Sequence, residues 1–217
     1  MRTGLLIMVL LAGVSGLARA GEDWNAPLAE LQEALRRQGK VGAGETAFEM
    51  CQGCHRVGAL GRADGSYPRL AGQHATVLIK QMVDVRAGRR GNPKMLPFAD
   101  RHVLSVQDIA DLAVYLEARP TVADNGRGSG EALSAGAAAY NRDCARCHGL
   151  RGEGDARQFF PRLAGQHYRY LLRSSRMIRD RERRNSHPEM AAAIEGYDEA
   201  DLAAVADYVS RLPPGTP

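Results

Sequence analysis

Apolar side chains recur at helical intervals in two well-separated stretches of the chain. Ile109, Leu112, Ala113 and Leu116 fall at i, i+3, i+4 and i+7, and Leu202, Val205, Ala206 and Val209 repeat that spacing. Ser105 and Asp198 precede these stretches as N-caps, each with an aspartate three residues on, close to a capping box. A second helix in each half follows His74 and His167, where Leu78 and Val85 correspond to Leu171 and Ile178. Near the start, Leu28, Leu31 and Leu35 also have helical spacing. That segment is either a short amphipathic helix on the first half or a frayed tail. No alternation of apolar and polar residues is sustained, so the pattern predicts an all-α chain of a few helices joined by Gly- and Pro-bearing loops.

The correspondence between the halves extends well beyond hydrophobicity. Tyr67-Pro68-Arg69-Leu70-Ala71-Gly72-Gln73-His74 returns 93 residues later as Phe160-Pro161-Arg162-Leu163-Ala164-Gly165-Gln166-His167. Cys51-Gln52-Gly53-Cys54-His55 matches Cys144-Ala145-Arg146-Cys147-His148 at the same offset, as Asp108 matches Asp201 and Tyr115 matches Tyr208. Pro93-Lys94-Met95 matches Pro188-Glu189-Met190 at an offset of 95, a two-residue insertion taken back before the last helix. Two homologous domains are therefore expected over residues 42–120 and 134–217. The Gly-rich polar segment 121–133 reads as their linker, and residues 21–41 as an extension without a counterpart.

Residues 1–20 read as something else. Arg2, the apolar run Leu5 to Ala12 and Ala18-Arg19-Ala20 have the layout of a secretory signal peptide cleaved after Ala20. The apolar run is short of the roughly 20 residues that span a bilayer, and no later segment is long and apolar enough either. The expected mature chain is exported to the periplasm without a transmembrane segment, with peripheral membrane association left open. Losing Arg2 and Arg19 lowers the formal charge from +4 to +2. At 217 residues and 6% aromatics, the halves are small for cores built from side chains alone.

The four cysteines all lie in the two Cys-x-x-Cys-His motifs. Thiols two residues apart can add across the two vinyl groups of one haem, and the next histidine is placed to reach its iron. Disulfides suit an exported chain but give no reason for a histidine after both pairs. A thioredoxin-like pair would want a βαβ setting, and zinc would need a fourth ligand at each site. The repeated motif points to two covalently bound haem c groups, with iron as the metal. Met95 and Met190, 40 and 42 residues after the histidines in matched Pro-x-Met loops, are the candidate sixth ligands. His74 and His167 are the rivals, with a capping or surface role the alternative. Met82 and Met177 sit at helical positions that suit core packing, Met50 abuts Cys51, and His102 and His187 are expected to be solvated.

These motifs, a Pro-x-Leu about a dozen residues after each of them and an aromatic on the closing helix resemble class I cytochromes c. The tandem form with Pro-Arg-Leu-Ala-Gly-Gln in both halves resembles the di-haem cytochrome c4 family over about residues 42–213. The resemblance implies thioethers at Cys51, Cys54, Cys144 and Cys147, with axial pairs His55/Met95 and His148/Met190. It also implies that the Pro68 and Pro161 carbonyls accept a hydrogen bond from the imidazoles, fixing ring and tautomer. Phe48 and Tyr140, four residues after Gly44 and Gly136, suit the family's crossing of first and last helices. One departure is that the first half has one residue fewer between that aromatic and its first cysteine.

Met/His ligation leaves no open coordination site, so the sequence points to an electron carrier and not an enzyme. A di-haem peroxidase would need one haem able to open. The resemblance implies a respiratory one-electron carrier, passing electrons towards a terminal oxidase from partners such as a quinol-oxidising complex. The alternative is the cytochrome subunit of a dehydrogenase, such as a sulfide-oxidising flavocytochrome. Arg169, Arg173, Arg176, Arg179, Arg181, Arg183 and Arg184 crowd the approach to Met190, and Arg86, Arg89, Arg90 and Lys94 that to Met95. They form either a basic rim that steers an acidic redox partner or a solvated helix face. Nucleic acid is not an expected partner of an exported haem protein.

Overall fold

A computed structural model describes residues 28–214; the expected signal peptide lies outside them. In chain order the helices are α1 (Ala29–Arg36), α2 (Val41–Phe48), α3 (Gln52–His55), α4 (Ala75–Arg86), α5 (Leu96–Ala99) and α6 (Val106–Glu117). The second half follows with α7 (Leu133–Ala139), α8 (Ala145–His148), α9 (Tyr168–Arg179), α10 (Pro188–Ala193) and α11 (Glu199–Ser210). Among the described residues there is one isolated bridge, Asp155 to Phe160, and no strand. None of the described helices is long and apolar enough to cross a membrane.

Two clusters of buried side chains lie one in each half. The first gathers Phe48, Ile79, Val83, Leu104, Ile109, Leu112 and Leu116, the second Tyr140, Leu171, Ile178, Leu202 and Val209. Each is framed by a crossing of the half's first and last long helices, α2 with α6 and α7 with α11. A Cβ on Gly44 would sit 2.1 Å from the Asp111 carbonyl oxygen, and one on Gly136 would sit 2.1 Å from that of Ala204. Only glycine permits so close an approach of backbones. The aromatics one turn on then meet the closing helices, Phe48 to Tyr115 at 5.7 Å and Tyr140 to Tyr208 at 5.6 Å between ring centroids.

The closing helices begin with complete capping boxes, Ser105 with Asp108 and Asp198 with Asp201. The segment before α2 is helical, and α1 buries Leu31 and Ala34 in the first cluster while Leu28 and Leu35 pack against it. Glu30 of α1 pairs with Arg86, whose guanidinium also donates to the Ala99 and Leu104 carbonyls.

Residues 121–133 cross between the halves as a pinned strap. Arg69, 4% exposed, holds the Val122 carbonyl and Asp124. Asn125 donates to the Gln166 and Ser210 carbonyls, and the Asp207 carboxylate accepts the Gly128 and Gly130 amides.

Candidate functional site

Both cysteine motifs follow directly on the crossing helices. From Phe48 the chain enters α3 through a tight 3₁₀ turn, Glu49–Cys51. From Tyr140 it enters α8 through a wide π turn, Tyr140–Cys144. Winding one turn more tightly than the other absorbs the residue missing from the first half. Beyond that point the two motifs are held alike.

His55 and His148 are buried, at 5% and 6% exposure. Nδ1 of His55 lies 3.2 Å from the Pro68 carbonyl oxygen, and Nδ1 of His148 lies 3.0 Å from that of Pro161. A carbonyl can only accept, so each Nδ1 carries the proton and Nε2 keeps its lone pair for a metal. Burial holds both imidazoles below their ordinary pKa, against the bonds to Pro68 and Pro161; Arg90 adds to the effect at His55. Neutral imidazole is the form that ligates iron. Tyr67 lies edge-on to His55 at 5.8 Å, and Phe160 is tilted against His148 at 6.3 Å.

None of the four cysteines is in a disulfide. Burial pushes Cys51 up to about 11, with Cys54 adding to it, and pushes Cys144 up to about 11, with Asp143 adding to it. A thiol kept protonated is a poor redox nucleophile. Among the described residues no three His, Cys, Asp or Glu side chains group into a metal-ion site. The zinc alternative therefore finds no ligand set.

In the second half Cys144, Cys147, His148 and Met190 line one cavity of about 230 Å³, with Leu163, Leu171, Ile178 and Ile194 among its apolar walls. Two thiols, a neutral imidazole and a thioether around apolar walls fit a covalently held haem. Met190 lies inside α10, which opens on Pro188, and not in an irregular loop, because proline is favoured at a first helical position. Met95 heads the short α5, half-buried, with its amide donated to Asn92. No described contact joins Met95 to His55. Met82 packs against the first core cluster, as its helical position predicts. His187 departs from expectation: it is half-buried, lies edge-on to Phe160 at 5.7 Å and caps α10 by accepting the Glu189 amide.

The rival histidines serve the partner half. His74 Nε2 donates to the Glu153 carbonyl at 2.7 Å, and His167 Nε2 to the Leu60 carbonyl at 2.8 Å, acceptors that are themselves 93 residues apart. The neighbouring glutamines do the same. Gln73 exchanges two hydrogen bonds with the Arg162 backbone at 2.9 Å each, and Gln166 exchanges two with the Arg69 backbone at 3.0 Å each. The halves thus meet through reciprocal copies of one segment, a role missed at the sequence level. Its signal was the identity of polar Gln-His in both copies, beyond what the turn itself requires.

The arginine clusters are largely engaged within the chain. Arg176 and Arg179 pair with Glu199, Arg179 also with Asp180, Arg181 with Glu195, and Arg86 with Glu30. Arg90 and Arg183 turn into the space between the halves.

Comparison with known proteins agrees with this geometry. The family model for cytochrome c matches residues 133–213, and that for the cbb3-type cytochrome c oxidase subunit III matches residues 38–116. Cytochrome c4 of Pseudomonas aeruginosa is 31% identical over 96% of this chain and 98% of its own length. The thiosulfate dehydrogenase electron acceptor of Stutzerimonas stutzeri is 33% identical over 79% of this chain and 82% of its own. The crystal structure of reduced recombinant cytochrome c4 from Pseudomonas stutzeri superposes with a TM-score of 0.72 at 26% identity, covering 81% of this chain and all of that one. With two cysteine-histidine motifs held alike on two helical cores, the chain belongs to the cytochrome c4 family, tandem cytochrome c domains carrying two covalently bound haem c groups.

Proposed function

We propose that the protein is a periplasmic one-electron carrier that delivers electrons towards a terminal oxidase and is not an enzyme. In this reading Cys51 and Cys54 hold one haem and Cys144 and Cys147 the other, each S–H adding across a vinyl double bond. His55 with Met95 and His148 with Met190 supply the axial ligands. The domains run over about 42–120 and 134–217, after a signal peptide that directs export. When bound, haem iron ligated on both faces supplies outer-sphere electron exchange with little rearrangement.

The observation that carries the proposal is the matched clamp on the two histidines. Each buried Nδ1–H is fixed on a proline carbonyl, at 3.2 Å and 3.0 Å, so each ring is held in one tautomer and one orientation. A rigid neutral ligand suits a centre that changes charge without changing shape. An absorption and redox titration of the purified holoprotein tests it. Two haems per chain and the weak near-red Met–Fe(III) band in the ferric state are expected; one haem, or rapid peroxide turnover, overturns the reading.

One observation favours a second reading, as the electron-accepting partner of a dehydrogenase: the likeness to a thiosulfate dehydrogenase electron acceptor. Stopped-flow mixing separates the two. Faster reduction by the dehydrogenase than oxidation by a terminal oxidase, together with a stable complex on sizing, would favour the acceptor role.

A further inference from the structure

His74 and His167 end equivalent turns, yet their ring nitrogens are committed differently. His167 is 2% exposed and joins three parts of the chain. From the second domain its Nε2–H reaches the Leu60 carbonyl of the first at 2.8 Å, while its Nδ1 accepts the Gly126 amide of the strap at 3.3 Å. Gly126 is held on its other sides too. Its carbonyl accepts the Tyr168 amide at 2.9 Å, and a Cβ on it would sit 2.9 Å from the Ala63 carbonyl oxygen of the first domain. One nitrogen of His167 must carry a proton and the other must lack it, so only neutral imidazole in one tautomer serves both bonds. At His74, Nδ1 instead faces the Glu117 carboxylate at 3.8 Å, an acceptor for a second proton.

A proton added to Nδ1 of His167 would point at an N–H, donor against donor, away from bulk water. The charged groups that face the ring are Arg69 and Asp64 of the first domain and Asp124 of the strap. Burial holds the ring below its ordinary pKa, with Arg69 adding to it, against the Leu60 bond and the two carboxylates. A base depressed in this way binds fewer protons in the closed interface than in an open one. Its contribution to closure is therefore present above about pH 6.5, the value of a free imidazole, and is lost progressively as pH falls below it.

We propose that His167 is an acid-sensitive latch: its protonation frees the strap at Gly126 and loosens the second domain from the first, while the His74 side stays bonded. In the exported chain proposed above, the latch meets the pH outside the cytoplasm, and acid slows electron exchange between the two haems. That consequence rests on the electron-carrier reading; the latch itself does not.

The test is hydrogen exchange of the strap amides in the holoprotein at pH 7 and pH 5, each rate divided by that of an unstructured peptide at the same pH. With His167 neutral when closed and titrating normally when open, this ratio should rise about 20-fold from the higher pH to the lower. His167→Gln should abolish the rise, because an amide offers one donor and one acceptor in place of the two ring nitrogens and does not titrate. His74→Gln should keep it. Nuclear magnetic resonance of the His167 ring in the unaltered holoprotein adds a reading independent of how any variant folds: one neutral tautomer should persist below about pH 6.5. No rise in the parent protein, the same rise in His167→Gln, its loss in His74→Gln, or a His167 ring protonated at pH 7 overturns the proposal.

Discussion

Where the first domain buries Val83 in the cluster that includes Leu31 and Ala34 of α1, the second carries Arg176, exposed and bonded to Glu199. Arg86, one turn on, reaches Glu30 of α1, with 7% and 12% of the two side chains exposed. Its equivalent Arg179 stays in its own domain, on Asp180 and Glu199. The same helix thus has two outer faces. One is apolar because a preceding helix covers it, the other charged because water does. A repeat keeps what faces the common site and rewrites what faces different neighbours.

The comparison breaks most visibly at the feature both domains share. Gly44→Ala and Gly136→Ala each place a methyl against backbone. Each should cost at least about 3 kcal/mol, the upper end for overpacking, read as a lower melting temperature and poorer haem incorporation. Equal losses would mean that the two crossings matter equally.

The covered face comes next. Leu31→Ala should cost about 2–4 kcal/mol as a buried leucine truncation. Glu30→Gln should cost about 2–3 kcal/mol, below the full penalty of a broken buried pair because Arg86 keeps two carbonyls. In the second domain Glu199→Gln should leave the denaturation midpoint unchanged, since that pair is exposed. Hydrogen exchange should place both α1 effects in the first domain alone.

Reciprocity at the interface can be sharpened in turn. Gln73→Ala and Gln166→Ala each remove three hydrogen bonds, two across the interface and one from the amide of the following histidine, and strand two backbone N–H groups and a C=O, a loss of about 2–3 kcal/mol. Gln166 is the more buried, 7% exposed against a half-buried Gln73, so its loss should be the larger. Small-angle scattering would register the loosened pairing.

The smallest effect concerns backbone. Gly88 and Arg181 hold the same left-handed turn after α4 and α9, at φ of 71° and 60°. Arg181→Gly should stabilise the second domain by about 0.5–1 kcal/mol, the left-handed penalty less the entropy of glycine. A chemical denaturation curve shifted the other way would mean that the exposed pair with Glu195 matters more than the backbone.

Much of this was legible in the residues. Ser105 with Asp108 and Asp198 with Asp201 announced their helix starts because a cap is local chemistry. The cysteine-histidine motifs announced a cofactor because covalent spacing is local too. Tertiary roles were harder to read. Nothing in a run of arginines tells Arg179, on its own domain's acids, from Arg183, which faces inward across the interface. His74 and His167 looked like rival ligands because a histidine near a haem motif has an obvious use. Their acceptors, Glu153 and Leu60, are backbone carbonyls, which no side-chain pattern reveals. The missing residue before Cys51 was visible, but its absorption as a tighter turn depends on backbone winding.

The exchange between Gln73 and Gln166 has the form of a homodimer contact. Each side offers one amide side chain and one stretch of backbone, the self-complementary arrangement two identical subunits make about a twofold axis. A single ancestral repeat with one such glutamine and one such histidine would already have matched its own copy. Joining the two copies in one chain makes that pairing independent of concentration, and the pinned strap fixes which copy meets which. Within one chain a substitution alters one side at a time and not both, so a helix such as α1 can cover one domain and leave the other to water.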